Sequence, residues 1–461
     1  MSFMTWNTVS TAEGTTQASE RSRRGSLVFG WLSISGWCVF ALYTISMMGL
    51  THDIDAFATR SIRDYEANDG MDEAEAFEKD VQAAPLPRRL GLLGLIVVGA
   101  YCFVSAPSGV RVRNLAILVS AAGLLGWATL SLTWSIDTSE TTRELIRIAI
   151  YTVVAVAMAR RFPDKEICLI LIFSFLTSIL VASVMDVVVG NFRPWQSLHR
   201  LQGSLHPNDL GRQALLVAVA AYAYMSVKSE RTFWLAVCGV AIVILVLTKS
   251  RTSFISLFAG LLTVSMIRVK GYQVVAWLTT LLMIVSFAGL SWQLLSSDMR
   301  ASIAGGATLG RKDKAAALTG RFPLWEQALQ QADNDLIKGS GFGAFWNNDR
   351  TKIMGEELEW FPRHAHSAYI EMIVNLGFIG LGILLVLVLS VLATAFVSSR
   401  RTGQVHYTVC AAIIVSEMVY GLTEAAPILP RDQGLFNLIL MYALVFSHGA
   451  SEKPMEGQDA I

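Results

Sequence analysis

The sequence predicts an all-α membrane protein with about twelve transmembrane helices and a large periplasmic loop. Hydrophobic residues make up 53% of the 461 residues and charged residues only 16%. The mean hydropathy is +0.48, and apolar runs long enough to span a bilayer recur along the chain. A soluble protein of this length is less apolar, so we expect membrane lipid to be its main surroundings.

The candidate spans are apolar runs of about 16 to 25 residues. They cover residues 26–50, 90–106, 114–134, 145–159, 167–190, 210–227, 232–248, 252–267, 272–294, 366–398, 406–424 and 432–448. The first run is longer than the apolar core of a signal peptide and lacks a small-residue cleavage site. It is therefore interpreted as a transmembrane helix.

Positive residues in short connections predict the orientation, because Lys and Arg near span ends stay cytoplasmic. Three arginines before the first span place the N-terminus inside, and each later inner connection carries at least two positive residues. The predicted organisation is a cytoplasmic tail (1–25), a transmembrane domain (26–448) with periplasmic insertions at 51–89 and 295–365, and a second cytoplasmic tail (449–461).

Composition excludes several other classes. A net charge of +1 gives no basic footprint for nucleic acid. The five cysteines lie far apart in apolar runs, which indicates buried side chains and neither a disulfide framework nor a metal site. The sequence GSGFG at Gly339–Gly343 lacks the Lys and the Ser or Thr of a nucleotide-binding loop, so it predicts a tight turn.

Some cations lie on short outer connections, where orientation gives no reason for them. The sequence LTKSRTS carries Lys249 and Arg251 directly before a helix, whose N-terminus already favours an anion. A guanidinium there predicts a phosphate site, although an arginine that touches lipid headgroups is the alternative. Arg321 begins an amphipathic segment, where a solvated charge at a helix end is the alternative. The connection before the sixth span adds Arg193, His199, Arg200, His206 and Arg212.

The stretch PRHAHSAYIEMIVNLGFIGLGILL begins at Pro362 and places two histidines before a long apolar run. On a continuous helix His366 would lie within about 20° of Gly377, with Gly380 close by, which predicts a closely packed helix that fixes the imidazole. Nearby arginines would favour a neutral ring, which can act as a general base. A metal role for His364 and His366 lacks further ligands in the sequence.

These segments together resemble the O-antigen ligase and Wzy-type polysaccharide polymerase superfamily, in particular ExoQ-like exopolysaccharide polymerases. The resemblance rests on SRTS, on TGR followed by Trp325, on the glycine turn, on GSLHPND at Gly203, and on the closing motif. That motif is His, then Asn, Ser or Gln, nine residues, Gly, two residues and Gly. It reads here as His366, Ser367, Gly377 and Gly380. The resemblance covers residues from about 110 to 448 and leaves out the acidic N-terminal insertion.

The resemblance implies a GT-C-like glycosyltransferase that needs no metal or other cofactor. It would act at the periplasmic face of the bacterial inner membrane on undecaprenyl-pyrophosphate-linked oligosaccharides, as donor and as acceptor. It implies that His366 is the base and that Arg251 and Arg321 hold the pyrophosphate. Lys249, Arg212, Arg363 and His206 would line the approach. A chain-length regulator and an export complex are the implied partners, with no nucleic acid.

Two alternatives to a polymerase stay open. The shared motifs also suit a ligase that transfers finished glycan to a lipid A core or to a protein. A transporter of polysaccharide or lipid would suit twelve spans too, but it usually shows two related halves and charges near the midplane. Neither related halves nor midplane charges are evident in this sequence.

Overall fold

All regular structure in the part of the chain that the computed structural model describes is helical. This part comprises residues 31–52, 86–106, 114–196, 199–269, 273, 321–332, 335–358, 361–429 and 433–448. Six of its helices are long and apolar enough to cross a membrane, by length and composition. The predicted class, an all-α polytopic membrane protein, is confirmed, while the exact number of spans stays a prediction.

Thirteen α-helices are described, and eleven of them coincide with predicted spans. These eleven are α1 (Ile34–Thr51), α2 (Leu86–Ser105), α3 (Leu115–Leu130), α4 (Thr138–Arg161), α5 (Asp164–Val188), α6 (Pro207–Tyr224), α7 (Arg231–Thr248), α8 (Arg251–Arg268), α11 (Ala368–Thr402), α12 (Val405–Tyr420) and α13 (Gln433–His448). The helices α9 (Arg321–Gln331) and α10 (Asn348–Leu358) belong to the predicted large loop.

Several sequence predictions fall outside the described residues. The ninth predicted span, 272–294, does so except for Gln273. Both terminal tails, most of the insertion at 51–89, and residues 295–320 do so as well.

The helix ends that carry the predicted inner cations meet at one end of the bundle. The Arg161 guanidinium, at the end of α4, donates to the hydroxyls of Ser35 and Ser105. Arg268 donates to the carbonyl of Ala223, and Arg400 to that of Met266. We call this the basic end. Its grouping agrees with the alternation predicted from positive charge, but which side of a membrane it faces stays a prediction.

The long helix α11 is broken near its start, at Gly377, where φ is 71° and ψ is −176°. A break leaves backbone groups without helical partners, and in a membrane each unpaired group costs several kcal/mol. Here the glycine turn supplies partners: the amides of Ser340 and Gly341 donate to the carbonyls of Val374 and Asn375, both at 3.0 Å. The indole of Trp127 donates to the Leu376 carbonyl at 2.9 Å. The turn is therefore docked into the break.

Glycine is required on both sides of this contact. A Cβ at Gly377 would lie 2.1 Å from the Ile337 carbonyl oxygen, and one at Gly339 would lie 2.3 Å from backbone atoms of Asn375. Both glycines also have positive φ. The predicted close approach is real, but the neighbour is a loop backbone and no second helix. The predicted tight turn at Gly339–Gly343 is confirmed, since its three glycines have φ between 74° and 110°.

The prediction that His366 and Gly377 share one face of a continuous helix is wrong. His366 lies two residues before α11 begins and has φ 48°, and Gly377 interrupts the helix. A pattern of 100° per residue cannot hold across a glycine whose own backbone is not helical. The motif spacing therefore reports a loop followed by a broken helix.

Replacing Gly377 with alanine should destabilise the protein strongly. The positive φ alone costs about 1 to 3 kcal/mol for a residue with a Cβ, and the contact with Ile337 adds to it. Gly382→Ala is the matched control, because Gly382 lies in the same helix with nothing within 4 Å of its added Cβ. Thermal unfolding in detergent should show a clear drop for Gly377→Ala only. Equal melting temperatures for the two variants would contradict this account of the break.

Candidate active site

The backbone on both sides of His366 is held by buried contacts. Ahead of it, the Ala365 amide donates to the Glu371 carboxylate at 2.8 Å, and the Ala365 carbonyl accepts from the Trp325 indole at 2.7 Å. Behind it, the Ala368 amide donates to the Gly421 carbonyl at 2.8 Å. The backbone of the loop that carries His366 is thus held by α9, by α11 and by the residue that follows α12.

Glu424, in the connection between α12 and α13, pairs with both His366 and Arg321. The distance from His366 Nδ1 to Glu424 Oε2 is 3.4 Å, and Arg321 donates to Glu424 Oε1 at 2.7 Å. Arg321 also donates to the carbonyl of Thr423. The side chain of Glu424 is only 8% exposed, against 28% for His366 and 18% for Arg321. Two predicted site residues therefore meet on one buried carboxylate.

This arrangement assigns the imidazole tautomer. An ionised carboxylate only accepts hydrogen bonds, so the His366 Nδ1 facing Glu424 carries the proton. In the neutral ring, Nε2 then carries the lone pair. A ring oriented in this way can take a proton through Nε2 while the carboxylate stabilises the charge that forms.

The electrostatics keep the carboxylate ionised. Burial alone would raise the pKa of Glu424, but the hydrogen bond with His366 and the charge of Arg321 outweigh it and lower this pKa to about 2. The sequence-based expectation considered only positive potential near the histidine, from arginines and from a helix N-terminus. The structure adds a permanent negative charge at the ring, which the expectation did not include.

The His364 ring lies against that of His366, with ring centroids 4.1 Å apart and the ring planes tilted by 56°. Its Nδ1 accepts the backbone amide of His366 at 3.2 Å. Burial, and then the neighbouring His366, lower the pKa of His364 to about 3. His364 is therefore a neutral ring that supports the backbone of the candidate base.

The turn that carries Arg251 lies next to the same connection. Lys249 follows the last residue of α7 as its C-cap, with φ 51°, and α8 begins at Arg251. The hydroxyl of Thr252 lies 2.9 Å from that of Thr423, the residue before Glu424. The N-terminus of α8 thus contacts the segment that carries Glu424, the partner of His366.

The other predicted binding residues occupy different surroundings. Arg212 is 3% exposed, and its Nε donates to both oxygens of Glu417 at 3.0 Å, so a buried carboxylate matches its charge. His206 is exposed and caps α6, where its Nδ1 accepts from the Asn208 amide. Arg363 is exposed next to His364. A substrate-binding role for these residues and for Lys249 stays a prediction.

Sequence reasoning missed Glu424. The eleventh predicted span, 406–424, ended on it, and α12 in fact ends at Tyr420. The available signal was a carboxylate inside an otherwise apolar stretch, GLTEAAPILP, since such a group needs a partner. One sequence does not reveal that the partners come from α9 and from the loop before α11.

The fold and site define a class: a polytopic helical membrane protein in which a histidine, a carboxylate and a guanidinium meet outside the spanning helices. Comparison with known proteins makes this more specific. Residues 234–385 match the family model described as O-antigen ligase. Arg251, Arg321 and His366 lie within the matched region, whereas Glu424 lies beyond it.

The exopolysaccharide production protein ExoQ of Rhizobium meliloti (strain 1021) is 28% identical to this chain over 201 residues. The match covers 41% of this chain and 44% of ExoQ, which is less than half of each. The two findings confirm the resemblance seen in the sequence: over the matched residues, the chain is similar to the O-antigen ligase family and to ExoQ.

The lowered pKa of His364 predicts how stability depends on pH. Its ordinary value is 6.5 and its value in the fold is about 3, so between these values the unfolded state binds more protons. The stability that His364 contributes is complete above pH 6.5 and is lost as the pH falls towards 3. In detergent, the melting temperature of His364→Asn should fall less than that of the wild type when the pH is lowered from 7 to 5.

His206→Asn is the control for this measurement, because His206 is exposed and asparagine also caps helices well. Its melting temperature should follow the wild-type pH dependence. If the melting temperature of His364→Asn fell with pH as steeply as that of the wild type, His364 would not be the cause of the pH dependence.

Proposed function

We propose that the protein is a membrane glycosyltransferase that polymerises undecaprenyl-pyrophosphate-linked oligosaccharide repeats into exopolysaccharide. The observation that carries the proposal is the buried carboxylate of Glu424, shared by His366 and Arg321 beside the N-terminus of α8. Glycosyl transfer from a sugar pyrophosphate needs a base for the acceptor hydroxyl and positive charge for the leaving group. The O-antigen ligase match over residues 234–385 supports the same class.

The proposed step is a substitution at the anomeric carbon of the donor. The acceptor hydroxyl attacks this carbon while its proton moves to Nε2 of His366. The bond between the anomeric carbon and the pyrophosphate oxygen breaks, and the electron pair leaves with the lipid pyrophosphate. Since that leaving group is already a stable anion, it needs no carboxylic acid to protonate it, unlike the alkoxide in a glycosidase.

Arg321 and Arg251 supply positive charge for the pyrophosphate in this proposal. A guanidinium has five N–H donors, and Arg321 uses two of its nitrogens for Glu424 and Thr423. Its remaining donors suit a forked contact with phosphate oxygens. Arg251 adds its charge at the N-terminus of α8, where backbone dipoles also favour an anion.

Glu424 orients the base and stabilises the imidazolium that forms. Its role resembles that of the carboxylate in a catalytic triad, which holds the imidazole tautomer without taking the proton. The pKa of about 2 suits this role, because the carboxylate keeps its charge across the working pH range. We place the site at the periplasmic face of the inner membrane, with the basic end in the cytoplasm as the predicted orientation requires.

Replacing His366 with alanine should abolish long polymer while the protein stays in the membrane, since a positioned base contributes about 10² to 10⁴-fold. The measurement is polymer length on gels from cells that carry the variant as their sole copy, with membrane content followed by immunoblot. Polymer of normal length from His366→Ala would discard the proposal.

A second measurement separates polymerase from ligase. Purified protein in liposomes receives the lipid-linked saccharides extracted from cells that lack the gene, with no other acceptor. A ladder of saccharide lengths is expected from a polymerase. Unchanged saccharide, together with transfer when lipid A core or protein is added, would identify a ligase.

Replacing Glu424 with glutamine should lower kcat by about 10² to 10⁴-fold, because the amide can neither fix the tautomer nor stabilise the imidazolium. The KM for the lipid-linked donor should change little.

Arg251→Ala should instead raise the KM for the lipid-linked donor, since it removes charge from the proposed anion site. Initial rates in liposomes measure both. Glu356→Gln, on the exposed face of α10, is the control and should match the wild type.

A further inference from the structure

Glu424 has a third partner, which the proposed chemistry does not use. Asn208, in the first turn of α6, donates through Nδ2 to Glu424 Oε1 at 2.8 Å. The same oxygen accepts from Arg321 at 2.7 Å. Two donors therefore hold Oε1, and this leaves Oε2 directed at His366.

Arg200 fixes the Asn208 amide in the required orientation. Its guanidinium donates to Asn208 Oδ1 at 2.7 Å. An arginine cannot accept a hydrogen bond, so the oxygen of the amide must face Arg200 and its NH₂ group must face Glu424. Arg200 also donates through Nε to the carbonyl of Thr248 at 2.9 Å. Thr248 ends α7, directly before the turn that carries Lys249 and Arg251.

Helices α6 and α12 are held in register around this contact. The hydroxyl of Tyr420 donates to the backbone carbonyl of Asn208 at 3.1 Å. About one turn away, later in α6 and earlier in α12, Arg212 pairs with Glu417. The backbone of Asn208 therefore stays in place without the Asn208 side chain, so a substitution at this position tests the amide itself.

We propose that Asn208 and Arg200 are positioning residues. They hold Glu424 Oε1 so that Oε2 faces His366, and they link this carboxylate to the proposed anion-binding turn before α8. The inference rests on the proposed roles of His366 and Glu424. It assigns a function to the GSLHPND segment and to an arginine on the connection before it. Neither residue contacts the proposed reacting atoms, so their effect must pass through Glu424.

The first test compares Asn208→Ala with Asn208→Asp. Asn208→Ala removes the donor and should lower kcat by about 10 to 100-fold, the range expected for a hydrogen bond to a charged group. The KM for the extracted lipid-linked saccharides should stay within about twofold. Asn208→Asp keeps the shape and the contact to Arg200 but sets a second carboxylate beside Glu424, so it should be worse than Asn208→Ala.

Arg200→Lys should retain part of the activity that Arg200→Ala loses, since a lysine can reach one of the two acceptors but cannot fork between them. Asn191 lies on the same connection between α5 and α6, and Asn191→Ala is the matched control for Asn208→Ala. It should keep wild-type kcat and KM. Equal kcat for Asn208→Ala and Asn191→Ala would overturn the inference.

A double-mutant cycle distinguishes positioning from a general structural role. In the Glu424→Ala background, Asn208→Ala has no carboxylate left to hold, so it should cost less than about threefold further. A loss there as large as in the wild-type background would show that Asn208 acts elsewhere and would overturn the inference. Absence of any transfer by the wild-type protein would instead refute the proposed function, so the two failures are distinguishable.

Discussion

The buried carboxylate of Glu424 is the interaction on which the rest of the site depends. It is almost fully removed from solvent, and a lone ion in such surroundings would become neutral. Arg321, Asn208 and His366 each supply a compensating contact, and they come from three separate parts of the chain. Satisfying one charge therefore brings together α6, α9 and the loop before α11.

The break in α11 provides the rigid support for this cluster. The helix interruption at Gly377 binds the glycine turn, whose Ser340 hydroxyl accepts from Arg350 at 2.9 Å. Between the break and the loop, the buried Glu371 accepts from the Trp346 indole as well as from the Ala365 amide. The loop of His366 is thus tied to the large outer segment at several points. Of the two glycines in the motif, Gly377 contributes to this scaffold, because it packs against the backbone of Ile337.

The sequence predicted the helices well because apolar runs and their lengths follow from the bilayer, a local constraint. The family resemblance also singled out His366, Arg321 and Arg251, and the structure brings His366 and Arg321 together on Glu424; the roles of the three residues stay predictions. The sequence did not predict the backbone of the site. The interruption at Gly377 and the docking of Gly339 depend on contacts between segments more than 35 residues apart in the chain. Helical periodicity contains no information about such contacts.

In the proposed reaction, Arg321 interacts with both a carboxylate and a pyrophosphate, and this double contact has a consequence for the charges. In the proposed reaction, negative charge grows on the leaving group while positive charge grows on His366. Arg321 is linked to both changes, because it donates to Glu424 and, in the proposal, also contacts the pyrophosphate. As the pyrophosphate attracts the guanidinium more strongly, the compensation of Glu424 weakens, and its charge becomes more available to the imidazolium. Departure of the leaving group and deprotonation of the acceptor then favour each other through one shared carboxylate. A site with two independently solvated charges could not couple them in this way, because water would screen each charge separately.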